Sequence, residues 1–203
     1  LWAGNSGALT INNGIDLDGE GGLVWLKQRT GPSEAHTLID TVRGQTKVMM
    51  TNYNSYGNFT SGATQDLTSF NSNGFSLGPN FNYVKNSTGA TNVSWTFRKA
   101  PGFFDIVTWS GNDTARAIPH NLGSVPGMII VKKTSDSGGW YVYHRSMGNG
   151  KWVDLSSTND ASTVNFWNNQ SPTASNFYLS TNVNINGSGE SFIAYVFAHD
   201  DAV

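Results

Sequence analysis

The chain contains no cysteine. That removes disulfide cross-links, thiolate nucleophiles and zinc–cysteine sites together. Charge is scarce as well: Asp, Glu, Lys and Arg make up 13% of residues, 12 basic against 14 acidic, for a formal net charge of −2. Such a surface offers no basic track for a phosphate backbone, which excludes nucleic acid as the expected partner. No apolar run reaches the length of a membrane-spanning helix, so membrane insertion is not expected. The first residues lack the basic segment and apolar stretch of a secretory signal. Nowhere do apolar residues recur at helical spacing over three turns.

What is present is 23 glycines, abundant Asn, Ser and Thr, and enough apolar (37%) and aromatic (12%) residues for a packed core. Short segments bounded by Gly, Asn, Asp and Pro predict an all-β fold. The pattern predicts strands at about 22–29, 36–42, 46–52, 66–70, 74–78 and 91–98. It predicts further strands at about 104–109, 127–134, 139–146, 151–156, 163–167, 175–180 and 190–198. Leu23 to Leu26 and Met128 to Val131 are apolar at every position and read as central strands covered on both faces. Val93, Trp95 and Phe97 alternate with Ser94 and Thr96, as do Trp140, Val142 and His144 with Tyr141, Tyr143 and Arg145.

The turn and strand from Ile118 to Lys132 have a counterpart in Ile11 to Lys27, roughly half a chain earlier. Upstream, Trp2-Ala3-Gly4-Asn5 answers Trp109-Ser110-Gly111-Asn112, and downstream Val93–Phe97 answers Ile193–Phe197. The apolar rhythm and the glycines repeat, with few polar identities. The sequence therefore predicts a tandem duplication, residues 1–100 and 101–203, closely packed through the tight joint Arg98-Lys99-Ala100-Pro101-Gly102. The first copy has no counterpart of Phe103–Val107, so a strand upstream of residue 1 is expected.

Candidate chemistry is sparse. His120 follows a proline in a turn and His144 sits with Arg145 on a strand beside Tyr141 and Tyr143; structural roles are expected for both histidines, because no Ser and carboxylate partners can be placed beside them. Asp16, Asp18 and Glu20 place oxygen ligands at alternate positions, as a calcium loop begins, but the later acidic ligands are lacking and a solvated turn is the better reading. Asp40, Asp66, Asp105, Asp154 and Glu190 could supply a glycosidase pair, but none lies in a paired motif. Sugar binding asks less, namely an exposed aromatic ring. Tyr53, Tyr56, Phe59, Tyr141, Tyr143, Trp152 and Trp167 are the candidates, for a glycan or for a subunit interface. The acceptor patterns at Asn58, Asn86, Asn92, Asn112 and Asn186 are chance matches in an Asn/Ser/Thr-rich chain.

Several segments together resemble duplicated domains of tail-fibre and other appendage proteins of tailed bacteriophages. They are Gly22–Arg29, Leu38–Gly44, Leu67–Gly78, Trp95–Phe104, Ile118–Lys132, Tyr143–Ser146 and Tyr195–His199. The resemblance implies a concanavalin-like or jelly-roll β-sandwich on a virion surface, synthesised in the bacterial cytoplasm. It implies other virion proteins and a homo-oligomer, such as a trimer, as partners, with host-surface glycan as a further one. It carries no catalytic residues, and no cofactor or enzymatic activity is expected. A capsid decoration, cement or head-fibre protein without a receptor role is the rival expectation, and a glycan-cleaving enzyme a more distant one.

Overall fold

The structure, a computed structural model, describes residues 1–30, 35–54, 59–79 and 86–199. It is all-β and built from antiparallel sheets. Contacts divide the chain into two units, Leu1–Asn52 with Asn58–Arg98, and Tyr53–Gly57 with Lys99–Val203.

In the first unit the strands are β1 (Trp2–Ala3), β2 (Leu9–Asn12), β3 (Gly22–Gln28), β4 (Thr37–Asp40), β5 (Lys47–Met50), β6 (Phe59–Thr60), β7 (Leu67–Asn71), β8 (Gly74–Leu77) and β9 (Thr91–Arg98). One sheet has the order β1-β9-β3-β4-β5-β6 and the other β2-β8-β7. Val24, Leu26, Ile39 and Val48 of the larger sheet meet Leu67, Phe75 and Leu77 of the smaller in one buried cluster, with Leu17 beside them. Two layers across one core follow from strands that each bury a face. Leu23, on the other face of β3, is buried too, as expected of a central strand.

The second unit contains β10 (Phe104–Ser110), β11 (Arg116–Pro119), β12 (Pro126–Lys133), β13 (Trp140–His144), β14 (Val153–Asp154), β15 (Asn176–Leu179) and β16 (Ser191–Ala198), with one short helix α1 (Val183–Asn186). Its sheets run β10-β16-β12-β13-β14 and β11-β15. Ile129 and Val131 of β12, Ala194 and Val196 of β16 and Phe177 and Leu179 of β15 share a core with Trp109, Tyr141, Tyr143, Phe166 and Trp167.

No strand forms at 163–167. Phe166 and Trp167 are there to fill the core, and Asn168 and Asn169 turn the chain at φ 53° and 52°. The indole N–H of Trp167 reaches the Lys151 carbonyl (3.0 Å) and Phe166 stacks on Trp152 at 4.5 Å. Segment 151–156 shortens to β14 for a related reason: Trp152 pairs in an isolated bridge with Ser162.

Each unit closes its first edge strand in the same way. In the first, the Gly4 amide donates to the Ala90 carbonyl (2.7 Å), Ser6 N–H to the Asn86 carbonyl (2.8 Å) and the Asn86 amide Nδ2 to Gly7 O (3.1 Å). In the second, Gly111 N–H donates to Glu190 O (2.8 Å), Asp113 N–H to Asn186 O (2.9 Å) and Asn186 Nδ2 to Thr114 O (2.8 Å). Ser6 and Asp113 both sit at φ 57°. Both side chains receive an N–H from the opposite segment, Thr88 N–H on Ser6 Oγ and Ser188 N–H on Asp113 Oδ1. Asn86 and Asn186 are completely buried, because they replace the water that the loop carbonyls would otherwise need. Glycine is required at the crossing: a Cβ on Gly4 would lie 2.1 Å from Ser87 O, and one on Gly111 2.0 Å from Gly187 O.

Candidate functional site

Residues 22–28 and 91–98 pair so that Trp25 and Trp95 stand directly opposite one another. Alternation along each strand then gathers the aromatics. Val24 and Leu26 turn into the core of the first unit, while Trp25 lies on the other face of β3. Trp95 and Phe97, two residues apart on β9, share that other face. His36, just before β4, completes a pocket of about 250 Å³ lined by Trp25, His36, Trp95 and Phe97.

The rings are fixed by one another. Trp25 and Trp95 meet edge to face, with centroids 6.2 Å apart and planes at 71°. His36 lies nearly parallel to Trp95 (6.3 Å, 17°) and edge-on to Trp25 (5.8 Å, 79°). The indole N–H of Trp25 donates to His36 Nδ1 at 2.9 Å. That bond fixes the tautomer: the neutral imidazole carries its proton on Nε2. Burial, and secondly the Lys27 ammonium, push the His36 pKa below its ordinary value, so the neutral form prevails at pH 7. Trp95 remains 45% exposed although aromatic side chains usually bury most of their surface. Among the described residues the lining holds no carboxylate, and its N–H groups beyond the Trp25 bond are His36 Nε2 and Trp95 Nε1, an arrangement that can stack on a flat ligand and orient it.

The aromatic candidates read from sequence lie elsewhere. Tyr141, Tyr143 and Trp167 are core residues of the second unit, and their burial leaves no ring face for a sugar. Burial pushes both tyrosine pKa values up. Trp152 is half-buried against Phe166 and Tyr141, its N–H spent on Val164 O at 3.1 Å. Phe59 packs against the core of the first unit, and Tyr53 is exposed. Tyr56 lies outside the described residues.

Asp16 closes a turn by accepting the Gly19 N–H at 2.8 Å, and Glu20 faces Arg98 at 3.8 Å across an exposed surface. Among the described residues no group of three or more His, Asp or Glu is arranged to hold a metal. The other carboxylates anchor local structure. Asp40 is buried against Arg43 (2.6 Å), Asp66 accepts from Ser61 Oγ (2.6 Å) and Asp105 accepts from the Asn121 N–H (2.8 Å) beside Lys99 (3.3 Å). Asp154 accepts the Trp140 N–H (3.0 Å), and Glu190 bonds Ser135 with Lys133 at 3.7 Å. His120 is clamped at both ring nitrogens, accepting the Leu122 N–H and donating to Thr173 O, and thereby holds the turn after β11. His144 caps the 3-10 turn Arg145–Met147 by accepting the Ser146 N–H.

Fold and pocket together define an all-β chain with an aromatic recess on a sheet face of its first unit, lined among the described residues by no carboxylate. The family model described as a domain of unknown function (DUF7483) matches residues 1–202, and the chain belongs to that family. Neither the curated proteins nor the solved structures yield a match.

Proposed function

We propose that the chain is a non-enzymatic structural module of a tailed-bacteriophage virion, of tail-fibre or appendage type, that serves assembly and attachment to host-surface glycan. The observation that carries the attachment role is the Trp25–Trp95 pocket, in which an indole is held in place by its neighbours and still left nearly half open. A ring fixed in this way stacks on a sugar with little ordering cost, and copies arrayed on a particle convert weak single contacts into avidity. Its partners would be other virion proteins and further copies of itself, a trimer for example, and its place the particle surface after synthesis in the bacterial cytoplasm.

The two units would descend from a tandem duplication of one β-sandwich of jelly-roll or concanavalin-like type, with the joint near residue 100. The common strand order, edge strand, last strand, then the central hairpin, supports that reading. So does the shared Gly–Asn closure, in which Gly4, Ser6 and Asn86 stand where Gly111, Asp113 and Asn186 stand. The rings of the pocket were not kept in the second copy: the register puts Ile130 and Tyr195 in the places of Trp25 and Trp95. Divergence at that pair, with the closure retained, suits a framework that is structural in both units and binds in one.

A decoration, cement or head-fibre protein without a receptor role is the second reading. The exposed apolar side chains Val42, Phe103, Val125, Leu155, Val164 and Val183 favour it, since neighbouring subunits could cover them. The deciding experiment presents the purified chain to an array of bacterial surface polysaccharides, with mass analysis of each retained glycan. Retention of intact glycan is expected. A blank array would favour the cement reading, and shortened glycans would favour an enzyme.

A further inference from the structure

We infer that the Trp25–His36–Trp95–Phe97 pocket is a subsite for one acetamido-substituted pyranose, its acetyl group in the aromatic corner and its sugar ring over Trp95. This rests on the attachment reading above and names the chemistry of the ligand. The first argument is size. The pocket, about 250 Å³, is smaller than the roughly 300–1,000 Å³ that encloses a drug-sized molecule, which suits a single sugar residue.

The second argument is the inventory of polar groups. The Trp25 N–H is consumed by His36 Nδ1, and the lining residues otherwise carry two N–H donors, His36 Nε2 and Trp95 Nε1, on rings that are hydrocarbon elsewhere. Among the described residues Nε2 meets no partner. Among the described residues the wall therefore offers N–H donors and no acceptor. The hydroxyls of a plain hexose are each donor and acceptor, and several of them entering this recess would lose water without replacement. An acetamido group is different: a methyl, a flat conjugated plane and one strong carbonyl acceptor. The methyl takes the corner between the indoles, which stand at 71°, and the carbonyl accepts from Nε2–H. The sugar's C–H face covers the open part of Trp95 while its hydroxyls stay in water.

The third argument is charge. His36 is neutral at pH 7 because burial and Lys27 disfavour its protonation, so the pocket does not select an anion through the imidazole.

The test titrates the intact chain with the methyl glycosides of N-acetylglucosamine and N-acetylgalactosamine, and with those of glucose and galactose, by saturation-transfer and indole-resolved NMR. Expected are millimolar dissociation constants for the acetamido sugars, at least about tenfold tighter than for the plain hexoses. The acetyl methyl should receive the largest saturation, and the Trp25 and Trp95 indole signals should shift. Trp95→Ala should weaken binding at least about tenfold while the chain still unfolds in one cooperative transition, since 45% of the residue is already exposed. His36→Phe keeps an aromatic wall, removes the donor assigned to the acetamido carbonyl and should erase the acetamido preference. Equal binding of plain hexoses, or acetamido binding untouched by Trp95→Ala, overturns the assignment. If the Trp95→Ala chain still holds polysaccharides on the array, attachment survives and this subsite is refuted. If no glycan binds the parent chain, the attachment reading and the subsite both fall.

Discussion

Asn186 offers the sharpest stability test, because its completely buried side chain joins two separate loops. Its Nδ2 donates to Thr114 O (2.8 Å) and Ser180 O (3.0 Å), and the residue is completely buried. Asn186→Ala strips both carbonyls of their donor and opens a small cavity. At about 1 kcal/mol per lost bond, plus a residue of packing, the cost is about 2–3 kcal/mol. For a chain of this length that corresponds to a fall in Tm of roughly 5–10 °C, read by differential scanning calorimetry. Asn186→Asp keeps the shape but sets a carboxylate oxygen against two carbonyls, so it should be at least as damaging. Asn86, which donates to Asn5 Oδ1 (2.9 Å) and Gly7 O (3.1 Å), should respond alike. A shift below about 1 °C for either alanine variant, or a fully stable Asp variant, would refute the claim that these amides hold the edge strands.

Three further outcomes are expected. Gly111→Ala and Gly4→Ala drive a methyl into backbone oxygen at 2.0 and 2.1 Å and should destabilise by more than about 2 kcal/mol, or abolish soluble expression. Lys132 is buried beneath Trp140, and burial pushes its pKa down to about 8. The unfolded chain then binds more protons than the folded one between pH 8 and the ordinary lysine value, so stability should rise with pH from about 8 until tyrosine ionisation intervenes near 10. Lys132→Met should flatten that slope in denaturant titrations run at a series of pH values, and an unchanged slope would assign it to another group. His36 has a lowered pKa as well, so its neutral form and the Trp25 bond persist at pH 7 and fail only below the ordinary histidine value near 6.5. Acid should therefore shift the Trp25 indole N–H resonance, and His36→Phe should remove the transition.

Much of the framework was legible because it rests on local patterns. The all-apolar runs at Leu23–Leu26 and Met128–Val131 became the buried strands β3 and β12, and the alternation of Val93, Trp95 and Phe97 became β9. The short edge strands at Trp2–Ala3, Leu9–Asn12, Phe59–Thr60 and Arg116–Pro119 escaped, since two to four residues leave too few positions for a period to show. The local pattern at 163–167 suggested a strand, but the backbone of Phe166 and Trp167 is held by side-chain and turn contacts that no period encodes.

The pocket was hidden for a different reason. Trp25 and Trp95 are far apart in sequence, and only the β3–β9 register makes them neighbours. Trp25 sits in an apolar run that reads as buried throughout, and His36 carries no motif. The signal that could have found them is the chance that two tryptophans fall opposite each other on paired strands. The tyrosines of β13 stood out more in sequence, yet the structure buries both faces of that strand from Trp140 to Tyr143.

The most direct measurement is an electron cryo-microscopy map of the virion proposed to carry this chain, resolved well enough to place Trp95. Attachment requires the Trp25–Trp95 pocket open to solvent at the periphery of the assembled particle. A neighbouring subunit seated over that pocket would contradict the account and make the aromatic face an assembly contact.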